Sequence, residues 1–177
     1  MGKYTNRKEY IDKLLSYKDK DLIKVVSGLR RSGKSTLLVL YREYLLKQGI
    51  GKRQMQFYNF ELPENYLNKT WSDIYFEIKK KMQADKTNYI FLDEVQNIPF
   101  FEKLVDGLFA TQNTDIYITG SNAFLLSSEL ATLLSGRYIE ISILPFSFNE
   151  YLITRHIDTS NKYLNYCLLY TSPSPRD

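Results

Sequence analysis

Residues 28–35, with the sequence GLRRSGKS, have the composition and spacing of a loop that binds phosphate. They fit the pattern G-x-x-x-x-G-K-[ST] of the Walker A motif. Glycine at the two tight positions allows successive backbone N–H groups to approach an anion, which a Cβ would obstruct. Lys34 would bring a positive charge to the β- and γ-phosphates, and the hydroxyl of Ser35 would ligate Mg²⁺. The segment therefore predicts a nucleotide site in which Lys34 has a catalytic role.

The predicted nucleotide contacts extend over this loop and into the segment that follows it. They are Gly28, Leu29, Arg30, Arg31, Ser32, Gly33, Lys34, Ser35 and Thr36. The pattern leaves Arg30 and Arg31 unspecified, so these arginines either contact phosphate or a partner, or form a solvent-exposed loop tip. A glycine-rich turn that matches by chance is the other interpretation of the whole segment. The apolar run before it and the leucine-rich run after it disfavour chance, because the motif requires a strand and then a helix.

Hydrolysis also needs acidic groups, and the segment YIFLDEVQ, residues 89–96, supplies two of them. Its apolar residues predict a buried strand, and Asp93 and Glu94 follow where ligand sites lie in open α/β sheets. We assign Asp93 to the Mg²⁺ shell and Glu94 to the activation of water as a general base. The alternative is that the acidic pair merely ends a strand. Its combination with the predicted phosphate loop favours the functional interpretation.

The alternation of strands and helices along the chain predicts how these groups are positioned. Short apolar and β-branched runs predict strands at 22–28, 54–62, 88–95, 114–122 and 136–144. Apolar residues at helical spacing predict helices at 6–17, 35–47, 71–82, 100–110 and 123–134, and a further helix after Pro145. This order is typical of βαβ units. We therefore predict an α/β fold with a doubly wound, mostly parallel sheet of about five strands.

The chain divides by composition into a core and flanking segments. We predict an N-terminal helical segment over residues 1–20, the core over 21–145, and the start of a further helical region over 146–166. Residues 167–177, CLLYTSPSPRD, have no packing pattern and resemble a translated sequencing-library adapter. We expect this stretch, including the single cysteine Cys167, to be foreign to the protein, and we expect the natural chain to continue after residue 166.

Composition narrows the classes of function. The chain has 177 residues, 44% of them hydrophobic, a net charge of +4 and a pI near 8.9. One histidine and one cysteine exclude a disulfide framework and a Cys/His metal site. No apolar run is long enough for a membrane span and the charged N-terminal segment is no signal peptide, so we predict a cytoplasmic protein without membrane contact. The KKK run at 79–81 either binds nucleic acid or lies on a solvated helix face, which is favoured.

Four segments taken together resemble a known family. GLRRSGKSTLL, YIFLDEVQNIPFFEKLVDGL, YITGSNAFLLSSELATLLSGRY and ILPFSFNEYL occur in the same order in prokaryotic AAA-like, ASCE-type P-loop ATPases. These proteins are often labelled simply as ATP-binding proteins and have a C-terminal domain of unknown function. The resemblance covers residues 20–151. It implies an ATPase core that binds ATP rather than GTP, with the strand at 114–122 between the strand before the phosphate loop and the strand that carries Asp93.

The resemblance also gives roles to three further residues. Ser121 and Asn122, in the strand exit TGSN, correspond to a sensor of the γ-phosphate or the attacking water, with Ser121 binding nucleotide and Asn122 catalytic. They could instead cap the next helix, and both roles are compatible. Arg137 corresponds to the motif arginine of the family, a finger that completes a site in cis or in trans. The alternative for Arg137 is a surface residue at the start of a strand.

Functions from different classes are compatible with this pattern. The first is the binding and hydrolysis of Mg-ATP, coupled to conformational work on DNA or a partner protein, with a homo-oligomer as the candidate assembly. The second is a nucleotide-gated protein-binding module with slow turnover, because the sequence shows no separate substrate pocket. A small-molecule kinase is a third option, which Glu94 and the family resemblance disfavour. We expect the first.

Overall fold

A parallel β-sheet organises the part of the chain that the structure describes. This structure is a computed structural model, and it describes residues 7–120, 134 and 136–145. Within these residues the strands are β1 (Ile23–Gly28), β2 (Met55–Asn59), β3 (Asn88–Asp93), β4 (Thr114–Thr119) and β5 (Tyr138–Ile143). The helices are α1 (Lys8–Ser16), α2 (Lys34–Lys47), α3 (Trp71–Lys81) and α4 (Phe101–Phe109). Short 3-10 turns lie at Lys52–Gln54, Pro63–Asn65 and Val95–Asn97.

The order of the strands agrees with the order that the family resemblance implied. The strands are arranged as β2-β3-β4-β1-β5, and each described pair of neighbours is parallel. β4 therefore lies between β1, which leads into the loop 28–35, and β3, which ends at Asp93. The predicted doubly wound α/β fold is confirmed. The described strands are all parallel, where the sequence predicted a mostly parallel sheet.

Two hydrophobic cores cover the two faces of this sheet. Successive residues of a strand point to opposite faces. Ile90 and Leu92 of β3 accordingly pack in the same core as α3 and α4, whereas Tyr89 and Phe91 pack in the core that includes α1 and α2. Strands β1, β3 and β4 are buried along almost their whole length. Burial on both faces explains why these strands appear in the sequence as continuous apolar runs.

Several elements differ from their predicted limits by a few residues. β3 stops at Asp93, two residues early, because Glu94 turns into the left-handed region with φ 56°. β2 and β4 also stop early, and α2 begins at Lys34, one residue before its predicted start. α1 begins at Lys8 with Arg7 at its N-cap. The helix predicted at 123–134 lies almost entirely outside the described residues, as do all residues from 146 onward, so the boundaries in these regions stay predictions.

One edge of the sheet gathers the carboxyl ends of its strands. Because the strands run in the same direction, Gly28, Asn59, Asp93 and Thr119 all end at this edge, and Asn59 is in register with Asp93. Ligands of open α/β proteins bind outside the carboxyl ends of the strands. The fold thus brings the phosphate loop, which follows β1, to the same edge as the acidic pair that follows β3.

A buried polar network fastens the opposite end of the central strands. Nζ of Lys24 in β1 lies 2.7 Å from Oδ1 of Asp115 in β4, and both side chains are almost completely buried. Oδ2 of Asp115 accepts hydrogen bonds from the backbone N–H of Asp19 and from the hydroxyl of Tyr117, each at 2.9 Å. Burial raises the pKa of Asp115, although the neighbouring Lys24 opposes this change. These groups fix the pairing of β1 with β4 far from the phosphate loop.

Candidate nucleotide-binding site

The loop 28–35 passes tightly beside the end of β5 before it enters α2. A Cβ on Gly28 would lie 2.5 Å from the carbonyl oxygen of Ile143 and 2.8 Å from Oγ of Ser32, so no side chain fits there. Gly33 has φ 95°, in the left-handed region that other residues rarely adopt. Gly28 is therefore required because the chain passes close to Ile143 and Ser32. Gly33 is required because the backbone there adopts a left-handed conformation. The loop ends at the N-terminus of α2, where free N–H groups and the helix dipole favour an anion.

Lys34 lies folded back over this loop. Its side chain is buried, and Nζ donates hydrogen bonds to the carbonyl oxygens of Gly28 at 3.2 Å and Leu29 at 3.3 Å. The same nitrogen lies 3.8 Å from Oε1 of Glu94. The ammonium group thus sits between the loop backbone and the carboxylate of the β3 exit. A positive charge in this position would face a phosphate held by the loop.

Asp93 has one carboxylate oxygen bonded and the other free. Its Oδ1 accepts hydrogen bonds from Oγ of Ser35 at 3.0 Å and from Oγ1 of Thr119 at 2.5 Å. Its Oδ2 is buried and has no hydrogen-bond partner among the described residues. Burial raises the pKa of Asp93, against the two hydrogen bonds, which lower it. A buried oxygen of this kind, next to the Ser35 hydroxyl, fits a Mg²⁺ ion held by one carboxylate, a hydroxyl and substrate phosphates.

Glu94 is held in an unusual backbone conformation beside Asp93. Its φ of 56° and ψ of 52° are in the left-handed region, which is uncommon for a residue with a side chain. The backbone N–H of Glu94 donates to Oγ1 of Thr119 at 2.9 Å, and its side-chain Oε2 accepts from Nε2 of Gln96. These contacts direct the Glu94 carboxylate toward Lys34 rather than along the strand. A single threonine at the end of β4 therefore anchors both acidic residues.

A cavity of about 690 Å³ opens between these groups. Its lining includes six of the residues predicted to contact nucleotide, namely Arg30, Arg31, Gly33, Lys34, Ser35 and Thr36. Glu94 lines the same cavity, so the structure brings the phosphate loop and the predicted base together. Asp93 is buried behind Ser35. Among the described residues, no group of three or more His, Cys, Asp and Glu side chains is placed to hold a metal ion by itself.

Leu29 and Ser32, two other predicted residues of the loop, form hydrogen bonds through their backbone carbonyl groups. Leu29 has an exposed side chain, 56% accessible, and its carbonyl oxygen accepts from Lys34. Ser32 is buried, and its carbonyl oxygen accepts a hydrogen bond from Nη1 of Arg7 at 2.9 Å. The position of Leu29 leaves its side chain available to solvent. We still predict that Gly28, Leu29 and Ser32 contact the nucleotide, and that they do so through their backbone groups.

Several residues at or next to the cavity were not predicted from the sequence, among them Thr119, Gln96, Glu61 and Arg7. Thr119 ends β4 and bonds both acidic residues, Gln96 holds Glu94, and Glu61 lines the cavity from the exit of β2. A polar residue at the end of an apolar strand is a signal in the sequence that could have identified Thr119. Arg7 lies 25 residues before Ser32 in the chain, and no local pattern connects the two.

Arg137 lies at the other end of the sheet from the cavity. β5 pairs with β1 from Tyr138 opposite Ile23 to Ile143 opposite Gly28, so Arg137 lies beside the start of β1. Five residue steps along a strand correspond to roughly 16 Å. Its guanidinium instead pairs with Asp106 of α4 at 3.1 Å, and both side chains are exposed. The strand thus carries Arg137 to the edge opposite the cavity, whereas a role in cis would need it beside the cavity. The role of Arg137, which the resemblance left open between cis and trans, stays a prediction.

Two predicted site residues lie outside the described part of the chain. Ser121 and Asn122 follow Gly120, after the end of β4. Their proposed contacts with the γ-phosphate or with water stay predictions. The nearby position of Thr119 shows only that the β4 exit reaches Asp93 and Glu94.

Comparison with known proteins agrees with this fold. A family model described as an AAA domain matches residues 20–152. An uncharacterized protein of Haemophilus influenzae is 46% identical over 161 residues, which make up 90% of this chain and 40% of that protein. The uncharacterized protein MJ1544 of Methanocaldococcus jannaschii is 33% identical over 144 residues, or 80% of this chain and 30% of that protein. The chain spans less than half the length of these curated relatives.

A solved structure described as Drosophila ORC bound to AT-rich DNA and Cdc6 also matches. The similarity has a TM-score of 0.52 at 11% identity, and it covers 94% of this chain and 63% of that chain. At this identity the match shows the fold alone. The parallel sheet and the phosphate loop define a nucleotide-binding module of the P-loop ATPase type. The chain belongs to the AAA domain family, as the resemblance to prokaryotic AAA-like P-loop ATPases predicted.

No helix of the described residues combines the length and the hydropathy that crossing a membrane requires.

Proposed function

We propose that this protein binds Mg-ATP at the cavity beside the loop 28–35 and hydrolyses it. The observation that carries the proposal is the Asp93–Ser35 contact, because it leaves a buried carboxylate oxygen without a partner among the described residues. A site for phosphate alone would not need an acidic residue at this point. A site for Mg²⁺ and phosphate does, since the ion is commonly held by a carboxylate, a hydroxyl and substrate oxygens.

The residues of this site divide the chemistry between them. The loop and Lys34 bind the β- and γ-phosphates and offset their negative charge. Ser35 and Asp93 would hold Mg²⁺, which would neutralise part of the phosphate charge when it is bound. Glu94 accepts the proton of the water that attacks the γ-phosphorus, while the bond from that phosphorus to the oxygen bridging to the β-phosphate breaks. Thr119 keeps Asp93 and Glu94 in place.

Hydrolysis is tested by phosphate release from ATP in the presence and absence of Mg²⁺. Glu94→Gln should keep nucleotide binding and lose most of the turnover, because the amide cannot accept the proton. Glu9→Gln, which changes an exposed carboxylate of α1, is the matched control and should behave like the wild type. Equal turnover in Glu94→Gln and the wild type would overturn the assignment of Glu94. Turnover that survives removal of Mg²⁺ by a chelator would overturn the role of Asp93.

A nucleotide-gated protein-binding module with slow turnover is the second candidate. It is favoured by the surroundings of Glu94, whose two oxygens face Nζ of Lys34 and Nε2 of Gln96. Both oxygens of this carboxylate are thus already engaged by nitrogen groups, which leaves fewer positions at which the attacking water could bind. This candidate predicts tight binding of ATP with turnover too slow to matter, and a partner whose affinity depends on the bound nucleotide. Partner binding that is the same with ATP, with ADP and without nucleotide would contradict it.

The coupled work is proposed to act on DNA or on a partner protein. The solved structure with the similar fold is, by its title, bound to AT-rich DNA, and this chain has a net charge of +4. Addition of duplex DNA should then raise the rate of phosphate release. A rate that DNA leaves unchanged at low salt would favour a protein partner. A cytoplasmic location is part of the same proposal.

Arg137 is proposed to act in trans, in a homo-oligomer. Its exposed side chain and its position at the edge opposite the cavity would allow contact with a neighbouring copy. Mixtures of Arg137→Ala with Glu94→Gln chains should then recover part of the activity, because some sites combine an intact Glu94 with a neighbour's intact Arg137. Mixtures that remain as inactive as the separate variants, in a preparation shown to contain mixed assemblies, would contradict the trans role.

A further inference from the structure

Arg7 connects three parts of the chain that are far apart in sequence. It occupies the N-cap position of α1 and is only 6% exposed. Its Nη1 donates to the carbonyl oxygen of Ser32 at 2.9 Å, and its Nη2 donates to the carbonyl oxygen of Leu144 at 2.8 Å. One planar guanidinium therefore bridges the phosphate loop and the residue that follows β5. A lysine at this position could not form this bridge, because it lacks the rigid fork of donors.

The contact with Ser32 determines the direction of a peptide group in the loop. In a trans peptide the C=O and the following N–H point in opposite directions, and the described residues contain no cis peptide bond. Because the Ser32 carbonyl points to Arg7, the N–H of Gly33 points away from Arg7. Gly33 lines the cavity. The hydrogen bond thus orients a backbone donor toward the place where the loop would hold phosphate.

The contact with Leu144 is supported by a second residue of α1. The backbone N–H of Leu144 donates to the hydroxyl of Tyr10 at 3.2 Å, while its C=O accepts from Arg7. The guanidinium carbon of Arg7 lies 4.7 Å from the centre of the Tyr10 ring, a distance at which cation and ring attract. The first turn of α1 therefore binds both backbone groups of the residue at which the chain leaves the sheet.

We propose that Arg7 is a positioning residue for the phosphates of a nucleoside di- or triphosphate. Arg7 holds the Ser32–Gly33 peptide so that its N–H points toward the phosphate. Because Arg7 also binds Leu144, the residue after β5, binding of phosphate in the loop should change the strength of the contacts at Leu144. A phosphate that binds the Gly33 N–H strengthens the hydrogen bond at the other end of the same peptide, because neighbouring hydrogen bonds polarise one another. The inference rests on the proposed nucleotide binding and adds a residue and a connection to it.

The first test measures the affinity of the full chain for a fluorescent ADP analogue with Mg²⁺. Arg7→Ala should weaken binding by about tenfold to a hundredfold, the range expected for a lost hydrogen bond from a charged group. Arg7→Lys should recover only part of the loss, since it keeps the charge without the fork. Lys8→Ala is the matched control, because it removes a neighbouring positive charge whose side chain is exposed and pairs with Asp12.

The outcomes of this test separate the inference from the proposed function. A wild type that does not bind ADP overturns both. A wild type that binds, together with an Arg7→Ala variant as tight as Lys8→Ala, overturns the role of Arg7 and leaves nucleotide binding intact. Thermal unfolding without nucleotide shows whether Arg7→Ala is folded. If it is not, the comparison of Arg7→Lys with the wild type decides, and equal affinities overturn the inference.

The second test uses a readout that a purely structural arginine would not change. Amide hydrogen exchange of Leu144 reports on the end of β5, where its N–H is held by Tyr10. In the wild type, ADP should slow this exchange several-fold, because occupation of the loop tightens the contacts of Arg7. In Arg7→Lys the slowing should be smaller. Exchange at Leu144 that ADP leaves unchanged in the wild type, under conditions where ADP is bound, overturns the connection.

Discussion

Nζ of Lys34 lies 3.8 Å from Oε1 of Glu94, and it also donates to two carbonyl oxygens of the phosphate loop. The proposed phosphate-binding charge and the proposed base therefore contact each other across the cavity. A phosphate in the loop would compete with the Glu94 carboxylate for the Lys34 ammonium. Binding of phosphate in the loop should therefore weaken the contact between Lys34 and Glu94 and release the carboxylate of the proposed base.

Removing the Lys34 ammonium should affect binding as well as turnover. Lys34→Ala is expected to weaken the binding of ATP by about tenfold or more, because a buried charge-assisted contact to phosphate is lost. Lys47→Ala, at the exposed far end of the same helix, is the control for the loss of one positive charge. Binding is measured with a fluorescent nucleotide analogue. Equal affinities of the two variants would show that Lys34 does not reach the phosphates.

Loss of the Thr119 hydroxyl should disturb both acidic residues at once. Thr119→Val keeps the shape of the side chain but removes the donor to Asp93 and the acceptor for the Glu94 N–H. We expect a fall of about 1–3 kcal/mol in the free energy of unfolding, because buried polar groups lose their partner. Phosphate release should fall as well.

Thr119→Ser is the control for this prediction, since it restores the hydroxyl without the methyl group. Urea unfolding and phosphate release are measured on both variants. If Thr119→Val and Thr119→Ser are equally active, the hydroxyl of Thr119 has no part in positioning the acidic pair.

Removing only one partner of the buried ion pair between Lys24 and Asp115 should strongly destabilise the fold. Asp115→Asn leaves the Lys24 ammonium without its counter-charge, which is expected to lower the free energy of unfolding by about 3–5 kcal/mol. The double variant Lys24→Met, Asp115→Asn should lose less, because no unpaired charge remains buried. Urea denaturation measures both. A double variant less stable than Asp115→Asn would mean that the Lys24 ammonium stabilises the fold without Asp115, through contacts such as its hydrogen bond to the carbonyl oxygen of Lys20.

Glu77 of α3 gives a prediction for the dependence of stability on pH. Hydrogen bonds from Lys69 and Lys81 lower the pKa of Glu77 from an ordinary 4.5 to about 2. A carboxyl whose pKa is lower in the folded state contributes stability above its unfolded pKa and loses it as pH falls through the folded one. The stability difference between the wild type and Glu77→Gln should therefore shrink between about pH 4.5 and pH 2.

This difference is measured by urea unfolding at several pH values in this interval. The partial exposure of Glu77 and the effect of salt on such pairs keep the expected difference small. A difference that stays constant over the whole interval would show that Glu77 makes no pH-dependent contribution.

Local patterns in the sequence predicted most of the fold and the centre of the site. Strands buried on both faces appear as apolar runs, and the motif of the phosphate loop prescribes a strand before it and a helix after it. This is why Lys34, Ser35, Asp93 and Glu94 could be proposed as site residues. In the structure Lys34, Ser35 and Glu94 line one cavity, and Asp93 is buried behind Ser35. Element ends were less accurate, because the left-handed turn at Glu94 is fixed by the hydroxyl of a neighbouring strand.

Contacts between distant segments could not be predicted in the same way. The hydrogen bond from Arg7 to Ser32 depends on how α1 packs, and no spacing in the sequence announces it. For Arg137 the family resemblance implied a role in cis or in trans, but it did not give the position of this residue in the sheet. Its position follows only from the register of β5 against β1. Sequence patterns thus predict which residues could take part in the chemistry, whereas tertiary packing determines which of these residues are in contact.

Among the described residues, buried polar side chains at the two ends of the strands differ in how fully they are hydrogen-bonded. At the amino ends, Lys24 and Asp115 have their charges and hydrogen bonds matched within the chain. Among the described residues, three of the four buried side-chain atoms without a partner, Ser32 Oγ, Asp93 Oδ2 and Gln96 Oε1, lie at the carboxyl ends. Binding of a polar ligand should therefore stiffen the carboxyl-end edge of the described sheet far more than the end that holds Lys24 and Asp115.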